Sequence, residues 1–264
     1  MIRSHFGISQ NPFSNENVTL LPHQQEIYDI LHVHSQQGGL CLLMGEPGTG
    51  KSVVKEAIQQ NSSKRITVVS VARTLHTYTN IVKILCEAFK IEFEGQAFKC
   101  EKRLIQEAFS LNRQGKLIVT IIDDAHLMEM ETLRKLRLLF EDFPKNHNII
   151  LCGQPTLISN MSLKVNDDIK SRVTFSTMMP KLNSDQIREF ILKQLDAAEL
   201  GHNTFDDDAL ALIIRSSEGI IRKSRNLCIS TLLETVRLRK RIVDLETVNR
   251  VLIQPHWRTQ TDFD

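Results

Sequence analysis

The chain has 264 residues, of which 41% are hydrophobic and 24% charged; this is ordinary globular usage and excludes a mainly disordered or fibrous protein. That length buries a core without staples and divides into one large or two modest domains. The charge nearly cancels at +2, so a polyanionic partner is neither demanded nor excluded and must be argued from local clusters.

Residues 1–22 carry Gly7, Pro12, Asn15, Asn17 and Pro22 and read as loop. Residues 23–37 place Ile27, Ile30 and Leu31 at helical spacing, and Gly38-Gly39 ends that helix. Leu40–Met44 is a short apolar run, read as a buried strand; a Gly-rich turn follows, and Lys51–Gln60 is helical. Ile66–Val71 is a second strand, Tyr78–Phe89 and Cys100–Asn112 are amphipathic helices, and Leu117–Ile122 is a third strand ending in Asp123-Asp124. Met130–Phe140 reads as a helix, and Asn148–Cys152 and Val173–Thr177 as further strands. Strands that are continuous apolar runs and alternate with helices mark a parallel sheet covered on both faces.

After Pro180 the pattern turns helical: Ser184–Ala198, Asp206–Ser216, Arg222–Arg239 and Leu245–Ile253, with Asn183, Ser184, Thr204 and Asp206 as N-cap candidates and Gly201 and Gly219 as breakers. The expected organisation is an N-terminal segment over 1–22, an α/β domain over 23–180, a small all-helical lid over 181–255 and a tail over 256–264. No run approaches the roughly 18 apolar residues of a spanning helix, and the N-terminus lacks the apolar core and cleavage site of a secretory signal. Cys41, Cys86, Cys100, Cys152 and Cys228 are scattered and never form a CxxC pair, which reads as buried free thiols in a reducing compartment. A cytoplasmic protein without membrane insertion is expected. The nine histidines show no metal spacing.

Gly45-Glu46-Pro47-Gly48-Thr49-Gly50-Lys51-Ser52, followed by Val53, fits the phosphate-loop pattern Gly-x-x-x-x-Gly-Lys-Ser/Thr, with a strand before it and a helix after it. The glycines let backbone amides turn around a phosphate, and the helix aims its positive end at the same point. Lys51 is expected on the β- and γ-phosphates of ATP and Ser52 on Mg²⁺. Asp123, at a strand end, is the expected second Mg²⁺ partner. Asp124 stands where a water-orienting carboxylate belongs, one methylene shorter than a Glu; the alternative is a structural acidic pair.

The phosphate loop, Asp123-Asp124-Ala125-His126, the strand ending in Gly153-Gln154-Pro155 and the helical lid together resemble an AAA+ ATPase, a P-loop NTPase with a three-layer αβα parallel sheet and a helical lid. Phe6-Gly7, Asn11-Pro12-Phe13 and Ile150-Leu151-Cys152-Gly153-Gln154-Pro155 resemble, more narrowly, the general secretion pathway protein A (ExeA) type, which overlaps transposon-encoded ATP-binding proteins of the TniB, TnsC and IstB kind. The resemblance implies that Gln154 touches the γ-phosphate or its water. It implies that Arg172 is a finger into a neighbouring subunit, with Lys170 as the alternative and a surface ion pair as the plain reading. Arg222, or else Arg225, matches the lid arginine that reaches the nucleotide; Ile221 replaces the usual Pro. Phe6, Phe13 and His23 would lie near the adenine, unless the phenylalanines only pack.

For a DNA duplex the resemblance points to the segment after the second strand, Arg73, Thr74, His76 and Thr77, with Lys99, Lys102 and Arg103. Two further basic sets are Arg134, Lys135 and Arg137, and a lid set of Arg215, Arg222, Lys223, Arg225, Arg237, Arg239, Lys240 and Arg241, for which a solvated helix face is the alternative. The implied function is a DNA-transposition helper: an ATPase that forms a homo-oligomer, ring or filament, on double-stranded DNA and recruits or activates a transposase. Secretion-type members usually continue into a membrane helix and a wall-binding domain, for which little length is left here. A secretion or pilus-assembly ATPase with membrane partners is the alternative, and a small-molecule P-loop kinase a third reading.

Overall fold

The computed structural model describes residues 1–13, 20–60, 66–71, 77–254 and 256. Its elements run α1 (Ile2–Phe6), α2 (Pro22–Gln37), β1 (Gly39–Met44), α3 (Lys51–Gln60), β2 (Ile66–Val71), α4 (Tyr78–Ala88), α5 (Ala97–Arg113), β3 (Leu117–Ile122), α6 (Met130–Glu141) and β4 (Asn148–Gly153). They continue with α7 (Thr156–Met161), α8 (Asp167–Lys170), β5 (Val173–Met178), α9 (Ser184–Ala197), α10 (Asp207–Ser216), α11 (Ile221–Arg237) and α12 (Leu245–Leu252). They divide into two compact units: Thr19–Glu46 with Lys51–Met179, and Met1–Val18 with Pro47–Gly50 and Pro180–Asp264.

In the first unit the strands form one parallel sheet in the order β2-β3-β4-β1-β5. Side chains alternate across a strand, so each apolar run feeds two cores. Leu40, Leu42, Met44, Ile118, Ile122 and Leu151 pack with Ile81 and Leu85 of α4, Leu104 of α5 and Leu136 of α6. Cys41, Leu43, Val119, Ile121, Ile150 and Cys152 pack with Ile27 and Leu31 of α2 and Val54 and Ile58 of α3. Each such leucine or isoleucine contributes about 1.5–3 kcal/mol by burial. All five cysteines are buried free thiols.

Register places the chemistry. Met44 pairs with Gly153, and the next amide, Gly45 N–H, donates to the Gly153 carbonyl at 3.1 Å. Val71 pairs with Ile122, and Asp123 N–H donates to the Val71 carbonyl at 3.0 Å. The start of the phosphate loop, the acidic pair and Gln154 therefore share the carboxyl edge of the sheet, where ligands bind in open α/β folds.

His147 is buried against Phe140 and Phe143, its Nε2 is 3.0 Å from the Thr120 hydroxyl, and burial depresses its pKa to about 3. Unfolding restores the ordinary value near 6.5, so below that pH the unfolded chain binds a proton that the folded chain refuses. Stability from this group is full above about pH 6.5 and falls as pH drops toward about 3, by about 1.4 kcal/mol per pH unit. Urea unfolding between pH 7 and pH 4 is expected to show this acid limb and His147→Gln to flatten it; parallel slopes would remove His147 as its source.

The second unit is helical. Its helices α9, α10 and α12 start on side-chain caps: Asn183 accepts from Gln186 N–H, Asp206 from Ala209 N–H and Asp244 from Thr247 N–H. Ile187, Ile191, Ile213, Leu227 and Val248 are among its buried side chains. Gly219 sits at φ +75°, and a Cβ there would lie 2.3 Å from the Leu182 carbonyl oxygen, so only glycine fits this turn.

Three short helices depart from the sequence reading. Residues 1–22, expected as loop, contain α1, ended by Gly7 at φ 73°, and α2 begins at Pro22. Helices α7 and α8 were not anticipated. A helix of one or two turns is too short for a 3.6-residue period to show. Phe13 is 2% exposed and packs on Phe190 within the helical unit.

Candidate nucleotide-binding site

Between β1 and α3 the chain turns through Gly48 at φ 87° and Gly50 at φ 104°, conformations that a side chain resists. Helix α3 opens at Lys51, so the amides of Lys51, Ser52 and Val53 lie in its first turn, where donors have no intrahelical acceptor and the helix dipole is positive. Lys51 Nζ donates to the carbonyls of Gly45 at 2.7 Å and Glu46 at 2.8 Å. Its charge is thereby folded over the loop. Thr49 is buried and Ser52 exposed.

The loop tip packs within the helical unit. Arg222 N–H donates to the Gly48 carbonyl at 3.1 Å, and a Cβ on Gly48 would lie 2.7 Å from Arg222 Cβ. Arg222 is exposed, whereas Arg225 Nε is buried without a hydrogen-bond partner. Of the two lid arginines, Arg222 is the one bonded to the loop tip.

Asp123 meets a residue that sequence reasoning missed. Its Oδ2 lies 2.5 Å from Lys55 Nζ, and its Oδ1 accepts the Asp124 amide at 3.0 Å. Lys51, Ser52 and Lys55 are spaced i, i+1, i+4 on α3, which puts Lys55 on the face that carries Lys51; that spacing was the available signal. Asp124 occupies the left-handed region at φ 50°, ψ 34°, a conformation that costs a non-glycine residue about 1–2 kcal/mol. Its carboxylate is 57% exposed, 4.0 Å from His126 Nδ1, and the His126 nitrogen has no hydrogen-bond partner. Gln154 is half-buried, directly after the strand residue that accepts the Gly45 amide.

Arg172 is 59% exposed and pairs with Glu141 at 2.9 Å, so the free chain shows it as a surface ion pair. Arg134 binds the Val165 carbonyl at 2.8 Å and the Asn166 side chain, and Arg134 and Arg137 both face Asp168. These bonds strap the segment before Arg172 onto α6. Lys135 pairs with Glu131 at 2.7 Å. The three α6 cations expected to meet a polyanion thus serve internal pairs.

This donor set fits a metal-bound triphosphate: amides and a helix end for phosphate oxygens, Lys51 for negative charge, and the Ser52 hydroxyl and Asp123 carboxylate as the hard oxygen ligands that Mg²⁺ takes. Residues 33–161 match the family described as AAA domain. The chain is 26% identical over 238 residues to general secretion pathway protein A of Aeromonas hydrophila, covering 86% of this chain and 44% of that protein; the two matches support an AAA+ ATPase of the ExeA type. The chain thus spans less than half the length of that curated relative.

Cdc6p from Pyrobaculum aerophilum superposes with a TM-score of 0.70 at 17% identity, covering 89% of this chain and 68% of that one. Aeropyrum pernix ORC1 in complex with DNA gives 0.67 at 16% identity, covering 89% and 66%. At such identity these neighbours establish the fold: the parallel P-loop sheet with a helical C-terminal region.

Other expected contacts of the AAA chain scatter. Arg73, Thr74 and His76 lie outside the described residues. Thr77 caps α4 by accepting the Asn80 amide at 3.4 Å. Lys99, Lys102 and Arg103 are exposed on α5, with Arg103 2.5 Å from Glu94. In the lid, Lys223 pairs with Glu218, Arg237 with Glu234, and Lys240 with Asp244 and Glu246, while Arg241 donates to the His5 carbonyl. His23 lies on α2 with Nε2 unpartnered, and burial lowers its pKa. Among the described residues no helix is long and apolar enough to cross a membrane.

Proposed function

We propose that this AAA domain binds and hydrolyses Mg-ATP, that copies of the chain assemble on duplex DNA in the ATP-bound state, and that the assembly recruits or activates a transposase in the cytoplasm. One observation carries the nucleotide reading: the loop start, Asp123-Asp124 and Gln154 lie on one sheet edge, bonded strand to strand by Gly45 to Gly153 and Asp123 to Val71. Bound Mg²⁺ would supply charge neutralisation at the phosphates. Lys51 holds the β- and γ-phosphates, Ser52 and Asp123 hold the metal, Asp124 orients the attacking water and takes its proton, and Gln154 fixes the γ-phosphate side of that water. Arg222 is the lid arginine of the reading, as its resemblance implies, with Arg225 as the alternative. Arg172 belongs to the next copy's site, so hydrolysis reports assembly. The domains proposed are those of the sequence reading, with the lid starting after Pro180.

For DNA, the fold neighbours include a protein solved with DNA, and Lys99, Lys102 and Arg103 form an exposed basic row on α5. Electron microscopy of the full chain with duplex DNA and a slowly hydrolysed ATP analogue is expected to show ordered assemblies. Binding should weaken steeply from about 50 to 200 mM salt, as counterion release requires. No assembly, or salt-independent binding, would overturn the DNA reading. The second reading, a secretion or pilus-assembly ATPase, is favoured by the identity to general secretion pathway protein A. A neighbouring pilus operon in place of a transposase gene would select it. The kinase reading has no observation in its favour.

A further inference from the structure

The acidic pair beside the phosphate loop raises an electrostatic problem. Asp123 and Asp124 are adjacent carboxylates at the place where a triphosphate would arrive, and like charges there oppose its entry. Lys51 is engaged with the carbonyls of Gly45 and Glu46. Asp124 looks to solvent, with the His126 nitrogen, unpartnered among the described residues, 4.0 Å away. Asp123 instead has Lys55, one helical turn beyond Lys51, with its ammonium 2.5 Å from Oδ2; the two side chains are only 13% and 20% exposed. An ion pair so shielded is weakly screened by salt.

We infer that Lys55 is a built-in counter-cation for the metal site: it neutralises Asp123 in the free chain so that nucleotide enters without metal, and it yields Asp123 Oδ2 when the metal arrives. The inference rests on the nucleotide reading of the same loop. Its physical basis is competition. Oδ1 is engaged by the Asp124 amide and Oδ2 by Lys55, so a divalent cation seeking this carboxylate meets an ammonium at one oxygen and a backbone donor at the other. The cations repel, and the lysine stem, with four rotatable bonds, is the part that moves. Metal binding is therefore weaker than an open Asp123 would give, and metal-free nucleotide binding is stronger.

Lys55→Met keeps the length of the stem and removes the charge. The full chain and this variant are titrated with a fluorescent methylanthraniloyl-ATP in EDTA, and the nucleotide-loaded proteins with Mn²⁺, followed by electron paramagnetic resonance. The variant is expected to bind metal-free nucleotide about tenfold more weakly, because the acidic pair is uncompensated, and Mn²⁺ several-fold more tightly. Lys55→Arg, which keeps the charge, should stay near native in metal-free binding. Metal-free affinity and Mn²⁺ half-saturation both within about twofold of native would overturn the inference, as would weaker Mn²⁺ binding. A readout on the native chain covers a variant that fails to fold: labelling of Lys55 by acetic anhydride, read by mass spectrometry, should rise several-fold when Mg²⁺ joins bound nucleotide, and no rise refutes the release. A native chain that binds the fluorescent nucleotide under neither condition refutes the nucleotide reading itself, whereas native binding with an indifferent Lys55→Met refutes only the role of Lys55.

Discussion

Lys51→Met is expected to weaken binding of a fluorescent ATP analogue about a hundredfold and to remove hydrolysis, while circular dichroism stays native. Two charge-assisted hydrogen bonds to phosphate oxygens, at about 1.5–3 kcal/mol each, set that scale. In the free chain the ammonium donates to two loop carbonyls, those of Gly45 and Glu46, at the sheet edge rather than in its cores. Its loss should therefore leave the two apolar cores of the sheet untouched. Isothermal titration calorimetry checks the affinity; binding within about twofold of native would take the nucleotide away from this loop.

Arg172→Ala is expected to bind nucleotide normally and to lose hydrolysis about 10³-fold, the lower end of what an arginine finger supplies. Its ion pair with Glu141 is solvent-exposed, so folding stability should change by no more than about 1 kcal/mol. The decisive form is a mixture. Lys51→Met copies carry an intact Arg172, and Arg172→Ala copies an intact phosphate loop, so mixing two inactive proteins should restore part of the activity. No rescue, or normal hydrolysis by Arg172→Ala alone, would remove Arg172 from the neighbour's site, and Lys170→Ala would be the next variant to test.

Much of the fold was legible because its signals are local. Leu117–Ile122 is a strand in both the sequence and the structure, since an unbroken apolar run can satisfy its two faces only inside a covered parallel sheet. Lys51–Gln60 is a helix in both, since the phosphate-loop pattern requires one there. What escaped notice was local structure too short to have a period, as in α7 and α8, and partners distant in sequence. Lys55 is an unremarkable basic residue on a helix until β3 brings Asp123 to it across 68 positions. Arg134, Lys135 and Arg137 form a basic run in sequence; Glu131 faces Lys135 at i, i+4, but nothing local states that Asp168 faces the two arginines.

The sequence by itself determined the strands and the longer helices in their order, the phosphate loop and the acidic strand end, because glycine placement, apolar runs and helix starts are written in neighbouring residues. Only the tertiary structure decided which charges face one another. Strand register brought the Gly45 amide to Gly153 and Asp123 to Val71. Close packing at Gly48 put Arg222, rather than Arg225, against the loop tip, because a glycine lets two backbones approach where any Cβ would collide. Packing turned Phe13 into a core residue and Arg172 into the partner of Glu141. A charge has no partner until the fold supplies one, and so the electrostatics of this site belongs to the three-dimensional structure.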